Sequence, residues 1–249
     1  MSVLWQKDGI YGFVVLNNPP VNAINCNIRQ GLLDATDWAK SEGLERVILS
    51  GKGSCFAAGA DAKEFDFAPV APHLPDVLNC IESSTVPWIA ALHGAVFGGG
   101  AELALACRYR VARSDASIGF PEVILGLVPG AGGTQRLSNI IGFSNSKYWI
   151  LTAKKFSAIE AEKFGFLNFV VNKDNLLNYS INVAEEIIKN APIAIKSAKL
   201  AINQGFQLNS LKEKLNIERK HYTTCLNSTD RLEALDAFNN KRKPKWENK

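Results

Sequence analysis

Paired cysteines, clustered histidines and long apolar runs are all missing from this sequence. The five cysteines, Cys26, Cys55, Cys80, Cys107 and Cys225, form no CxxC pair and sit among apolar neighbours. An odd count without framework spacing fits thiols kept reduced in a cytosol and used as small core residues. His73, His93 and His221 are too scattered to promise a metal site. Apolar stretches are too short or too broken by glycine to span a bilayer, so no membrane is expected as partner. A net charge of +4 gives no electrostatic case for strong nucleic-acid binding. No GxGxxG follows a strand, no serine sits in a GxSxG elbow, and Gly51-Lys52-Gly53-Ser54 lacks the phosphate-loop spacing. The opening MSVLWQKDG carries neither a signal-peptide core nor a transit pattern, and the closing WENK carries no lipid or peroxisomal address. A cytoplasmic protein is therefore expected.

What is present is an ordinary globular composition, 249 residues with 47% apolar and 21% charged, enough for one large domain or a core with an appendage. Short β-branched runs bounded by turn residues mark strands at Gly12–Leu16, Arg46–Ser50, Trp88–Leu92, Tyr109–Ala112 and Phe166–Val171. Helical patterns fall between them at Asn27–Lys40, Asp76–Ser84 and Ala101–Ala106. Alternation of this kind argues for a layered α/β domain over residues 1–172. Residues 173–249 read as all-helical, with helices at Asp174–Lys189, Pro192–Asn203, Ser210–Leu226 and Asp230–Asn239. Asp174 is the expected N-cap of the first, and Pro192 suits a first helical position.

Chemistry is concentrated around two glutamates, Glu102 and Glu122. Glu102 follows Gly98-Gly99-Gly100 and opens the apolar run ALALAC, whereas Glu122 follows Pro121 and precedes GLVPGAGGT. Two carboxylates can activate water and deliver a proton if something nearby holds the negative charge that develops. Backbone N–H groups freed by glycine can do so. In FAAGAD, Gly59 lets the chain turn and present the Ala60 N–H between small side chains. In HGAVFGGGAELALAC, three glycines at a helix N-terminus place backbone donors where the helix dipole favours negative charge, with Gly99 the natural second donor. Together these amides would form an oxyanion hole, each donor contributing ~3–4 kcal/mol of transition-state stabilisation. Each feature has a plainer reading too: a tight turn at FAAGAD, helix–sheet packing at the glycines, an ordinary first-turn Glu102, and a loop Glu122 bonded to nearby N–H groups. His93 reads as a hydrogen-bonded core histidine, and Lys241–Lys245 as a solvated basic end or a contact for a phosphorylated ligand.

At FAAGAD, GGGAEL and FPEVILGLVPGAGGTQRL the chain resembles the enoyl-CoA hydratase/isomerase (crotonase) family, with a likeness running from NPPVNAIN at Asn18–Asn25 to KRKP near the end. NPPVNAI and ELALACRYRVA look most like the hydratase portion of bifunctional β-oxidation enzymes, without their dehydrogenase part. The resemblance implies a crotonase-like spiral of repeated ββα units with a helical C-terminal trimerisation region, assembled as a homotrimer or a hexamer. It implies Ala60 and Gly99 as oxyanion-hole donors and Glu102 and Glu122 as the catalytic pair. Val21, Ala58, Asp61 and Ala62 match positions along the acyl-CoA path, Pro121 is taken with them as substrate-binding, and Lys241 matches a lysine that meets the nucleotide end of CoA. His93 departs from the asparagine many members carry. The stretch from Lys63 to Gly94, with Pro69, Pro72 and Pro75, is shorter than in familiar members and is expected to shape the acyl pocket.

The expected reaction is syn addition of water to a trans-2-enoyl-CoA, with Glu102 as base and Glu122 as proton donor. No metal or redox cofactor is expected, since CoA arrives with the acyl-CoA thioester substrate. A Δ3,Δ2-enoyl-CoA isomerase would use the same site with one proton shuttle. An RNA-binding relative would need basic residues interleaved with stacking aromatics, which only Lys241–Lys245 beside Trp246 approaches. A non-catalytic oligomeric scaffold is disfavoured by the intact glutamate pair.

Overall fold

A computed structural model describes residues 1–249, apart from the side chain of Ile188. It divides into two units, Met1–Ile181 and Asn182–Lys249. The first unit is built on a six-stranded sheet. Its strands are β1 (Val3–Asp8), β2 (Tyr11–Leu16), β3 (Arg46–Gly51), β4 (Trp88–Leu92), β6 (Tyr109–Arg113) and β9 (Phe169–Val171), in that spatial order. β1 and β2 form an antiparallel hairpin, and every later pairing is parallel, with Val47 opposite Trp88, Ile89 opposite Tyr109 and Val111 opposite Phe169. A smaller sheet joins β5 (Ala95–Phe97), β7 (Ser117–Gly119) and β8 (Lys155–Ser157).

The sequence explains this layering. β2 alternates half-buried and buried residues, as a strand with one covered face must, whereas all of WIAAL in β4 is buried, as parallel strands between layers are. Helix α1 (Cys26–Ser41) begins where the Asn25 side chain accepts the Ile28 N–H at 3.0 Å. Its Ile28, Leu32, Ala35 and Ala39 form one buried stripe. Helix α2 (Leu74–Ser83) buries Val77, Leu78 and Ile81, and all eight residues of α3 (Gly99–Ala106) are buried. Helices α4 (Gly133–Ile141) and α5 (Phe143–Thr152) follow, separated by Gly142, and then α6 (Ala158–Lys163), which starts with a Ser157–Glu160 capping box. Trp149, Phe156, Phe164 and Phe166 stack and edge against one another, with Trp149 and Phe156 ring centres 4.2 Å apart. That cluster joins α5, β8 and the chain following α6.

The helices α7 (Leu176–Ile188), α8 (Pro192–Phe206), α9 (Leu211–Leu226) and α10 (Thr229–Asn239) complete the chain. Pro192 occupies the first turn of α8 as anticipated. Asp174 does not cap α7: it lies inside a 3-10 turn at Lys173–Asn175, and α7 starts afterwards at Leu176. Only the last part of Phe166–Val171 is strand, because the Phe166 and Leu167 N–H groups both donate to Ala161 O of α6, at 2.9 and 3.3 Å, ahead of β9.

Candidate active site

The Ala60 amide is left free by the way its neighbours are tied. Ile24 N–H donates to Gly59 O at 2.8 Å and Asp61 N–H donates to Ile24 O at 3.3 Å, so the bridge to Ile24 passes over Ala60. Upstream, Ala57 is fixed on β5 through its N–H to Ala95 O and its O to Phe97 N–H, at 3.2 and 3.0 Å. Gly59 has φ +121°, a conformation open to glycine, and this re-aims the chain after Ala57. Gly98 stands at the N-cap of α3 with φ +50°. Gly99, the first residue of that helix, has an N–H beyond the reach of the helix's own carbonyls. Neither the Ala60 nor the Gly99 N–H meets a backbone acceptor among the described residues.

These two amides are neighbours. A Cβ placed on Gly99 would lie 3.4 Å from Ala60 N and 3.1 Å from Leu74 Cδ2. The glycine triplet has separate demands at each position. At Gly98 a Cβ would come within 3.0 Å of Glu122 Oε1, and at Gly100 it would collide with the Ala57 carbonyl. A single glycine would have met only the packing demand at Gly100.

The two carboxylates are held in opposite ways. Glu102, in the first turn of α3, is 3% exposed, and its Oε1 accepts N–H bonds from Ala131 at 2.8 Å and Gly133 at 2.7 Å. Burial pushes its carboxyl upward, opposed by those amides and by the positive charge of Arg136. Glu122 opens a 3-10 turn (Glu122–Leu125) directly after Phe120 and Pro121, and its Oε2 is buried without a hydrogen-bond partner. Burial lifts its pKa to about 7, with a further upward push from the negative charge of Glu102. Carboxylates whose surroundings differ in this way divide into one that keeps a proton and one that gives it up.

The glycine-rich stretch after Glu122 therefore serves Glu102. Its Ala131 and Gly133 amides, 29 and 31 residues along the chain, form the cradle for that carboxylate. Nothing in the local sequence assigns them to it, since the pairing is made by the fold. Arg136 was also missed: its guanidinium donates to Ala131 O at 2.7 Å and pairs with Glu82 on α2.

Val21, Ala58 and Asp61 gather at the Ala60 turn. Ala58 N–H donates to Val21 O at 3.0 Å, and the Asp61 side chain accepts the Lys63 N–H at 3.1 Å, capping a 3-10 turn that starts at Ala62. Val21 and Ala62 are exposed, and Pro121 is half-buried. Leu74 completes the wall beside Gly99. His93 is a core histidine: it is buried, its Nε2 lies 3.2 Å from Gly53 O, and burial pushes its pKa down. In the second unit Lys241 is exposed just past α10 with φ +50°. The basic run there is not a free end, since Arg242 pairs with Glu233 at 2.6 Å and with Asp236 at 2.5 Å. Among the described residues no group of three His, Cys, Asp or Glu is placed to hold a metal, and no helix is long and apolar enough to cross a membrane.

Two free backbone amides beside two carboxylates can hold a developing negative charge and move protons around it. The model of the enoyl-CoA hydratase/isomerase family matches residues 7–249. A short-chain-enoyl-CoA hydratase of Clostridium acetobutylicum is 36% identical, covering 97% of this chain and 96% of that protein. An enoyl-CoA isomerase/hydratase of Mycosarcoma maydis is 39% identical, covering 96% and 93% of the two chains. The crystal structure of an enoyl-CoA hydratase from Bacillus anthracis superposes with a TM-score of 0.93 at 34% identity, over 100% of both chains. The chain belongs to the enoyl-CoA hydratase/isomerase family. It is an enzyme of the enoyl-CoA hydratase class, with the crotonase fold and C-terminal helices.

Proposed function

We propose that this enzyme adds water to a trans-2-enoyl-CoA to give a 3-hydroxyacyl-CoA. The observation that carries the reading is the contrast between Glu102 and Glu122 beside the Ala60 and Gly99 amides. The thioester oxygen sits between those two N–H groups, which draw electron density from the double bond as an enolate develops. Glu102, held by two amides and facing Arg136, takes the proton from water as it attacks the β-carbon. Glu122, whose carboxyl holds its proton up to about pH 7, delivers a proton to the α-carbon. The negative charge of Glu102 adds to burial in keeping the Glu122 carboxyl protonated. CoA enters as part of the substrate, and the residues supply the acid, the base and the charge stabilisation without a metal or redox cofactor.

Val21, Ala58, Asp61, Ala62 and Pro121 line the path of the acyl-CoA in this reading, and Lys241, of this chain or of a neighbouring subunit, is the contact for the nucleotide end of CoA. Phe65, Phe67 and Val70, all exposed on the segment after Ala62, supply apolar surface for the acyl chain. We assign the enzyme to the cytoplasm as a homotrimer or hexamer. Its five free cysteines support the first, and the exposed Ile202, Phe206, Leu232 and Phe238 of the C-terminal helices support an assembly that covers them. Double-bond migration on the same site is the second reading, favoured by the similarity to an enoyl-CoA isomerase/hydratase. Binding of RNA as a main role is not supported, because Arg242 is already engaged by two carboxylates. Hydration of 2-enoyl-CoAs of increasing length, followed by loss of the conjugated thioester absorbance, is to be compared with conversion of a 3-enoyl-CoA. Faster turnover of the 2-enoyl series supports hydration, and faster turnover of the 3-enoyl substrate overturns it.

A further inference from the structure

Arg136, on α4, makes more hydrogen bonds than a surface arginine needs. Its Nη1 donates to Ala131 O at 2.7 Å, its Nη2 donates to Asn79 Oδ1 at 2.8 Å, and both Nε and Nη2 reach Glu82 Oε2 at 3.0 and 2.8 Å. Only 13% of its side chain is exposed. Both backbone polar groups of Ala131 are thus held, its oxygen by Arg136 and its N–H by Glu102 Oε1. A planar guanidinium holds a carbonyl and a carboxylate in one fixed fork, a geometry that the rotatable donors of an ammonium on a flexible stem do not pre-organise.

We propose that Arg136 is a positioning residue for Glu102, fixing the Ala131–Gly133 cradle from behind and keeping the Glu102 carboxylate ionised, with Glu82 on α2 as the anchor that balances its charge. The proposal rests on the reading of Glu102 as the base. The charged groups facing Glu102 are Glu122, from the turn after β7, and Arg136, from α4. Glu82 faces Arg136 in turn from α2. Removing the guanidinium takes a cation away from Glu102 and raises the pH at which it ionises. Removing the Glu82 charge leaves the guanidinium uncompensated and lowers it.

The test is the pH profile of kcat/KM for hydration of crotonyl-CoA by Arg136→Gln, Arg136→Lys, Glu82→Gln and Glu102→Gln. The acidic limb is expected to move to higher pH in Arg136→Gln and to lower pH in Glu82→Gln, a pair of opposite shifts that simple loosening of the fold does not produce. Arg136→Gln is also expected to lose kcat by about tenfold with KM changed less than about threefold, as loss of an interaction expressed in the transition state does. Arg136→Lys restores the limb to its wild-type position while recovering only part of kcat. Limbs that stay in place, or that move the same way in Arg136→Gln and Glu82→Gln, overturn the proposal, and if Arg136→Gln does not fold, the direction in Glu82→Gln decides. Glu102→Gln separates the two failures: substantial activity there sinks the reading of Glu102 itself, whereas an inactive Glu102→Gln beside unmoved limbs sinks only the role of Arg136.

Discussion

Glu102 and Glu122 lie within electrostatic reach of each other, yet one carboxylate accepts two backbone N–H bonds on a single oxygen and the other buries an oxygen with no partner. In the proposed mechanism this difference divides the labour of base and acid without any difference in residue type, and it would set the pH range of the reaction. With Glu122 as the proposed proton donor, hydration requires it protonated, and the alkaline limb of kcat/KM is expected near pH 7, where that group loses its proton. In Glu102→Gln the repulsion disappears, and a carboxyl NMR titration should find Glu122 lower than in the wild type. Burial, the larger cause, remains, so it should stay above the ordinary value of 4.5. An unchanged Glu122 titration in that variant would mean that the two groups do not interact.

The same carboxyl weakens the fold at alkaline pH. Native Glu122 keeps its proton up to about 7, while an ordinary glutamate gives it up near 4.5. Between those values the native state binds more protons than the unfolded chain, so stability falls as pH rises through the window. Glu122→Gln removes that dependence. Its melting temperature, equal to or below the wild type at pH 4, should rise relative to it by pH 8. Because the group is only partly buried, the expected gain is about 1 kcal/mol, or roughly 2–4 °C in a chain of this size. A difference in melting temperature that does not change with pH would contradict the buried, unpartnered placement of its oxygen.

Gly99 and Gly100 are adjacent, but alanine should have different consequences at each. At Gly99 the new methyl meets a movable Leu74 side chain and intrudes on the space before the Ala60 amide. Gly99→Ala should therefore fold normally and lose about a hundredfold or more in kcat/KM, the order seen when an oxyanion donor is lost. At Gly100 the methyl strikes the Ala57 carbonyl, which is fixed on β5. Gly100→Ala should lose about 1–3 kcal/mol or more of stability, as an overpacked core does. Circular dichroism melts beside crotonyl-CoA hydration check both, and the reverse pattern would mean the amides of positions 60 and 99 do not share a ligand.

Much of this was legible in the sequence where one residue type meets one local demand. Gly59, the glycine triplet and both glutamates could be singled out because free backbone donors and paired carboxylates suggest one chemistry at short range. The β-branched runs of β2, β3, β4 and β6 were readable for the same reason. Three-residue strands such as β5, β7 and β8 were not, since three residues carry no period, and β1 escaped because VLWQKD buries only its first residue fully. Helices α4 and α5 begin at a glycine and just after one, without side-chain caps to announce them. The cradle of Glu102 was invisible because Ala131, Gly133 and Arg136 reach it only after the chain has folded back. Asp174 looked like a cap by type and position, yet the chain tightened into a 3-10 turn before the helix began.

Crotonyl-CoA hydration by Glu122→Gln, measured beside Glu102→Gln and the double variant, puts the paired-carboxylate mechanism at greatest risk. Each single variant should fall at least about a hundredfold below wild type with its fold intact, and the double variant should lie close to the worse single, because groups acting as one unit are not additive. A Glu122→Gln enzyme that still hydrates within about tenfold of wild type, a barrier change of no more than roughly 1.4 kcal/mol, would contradict it.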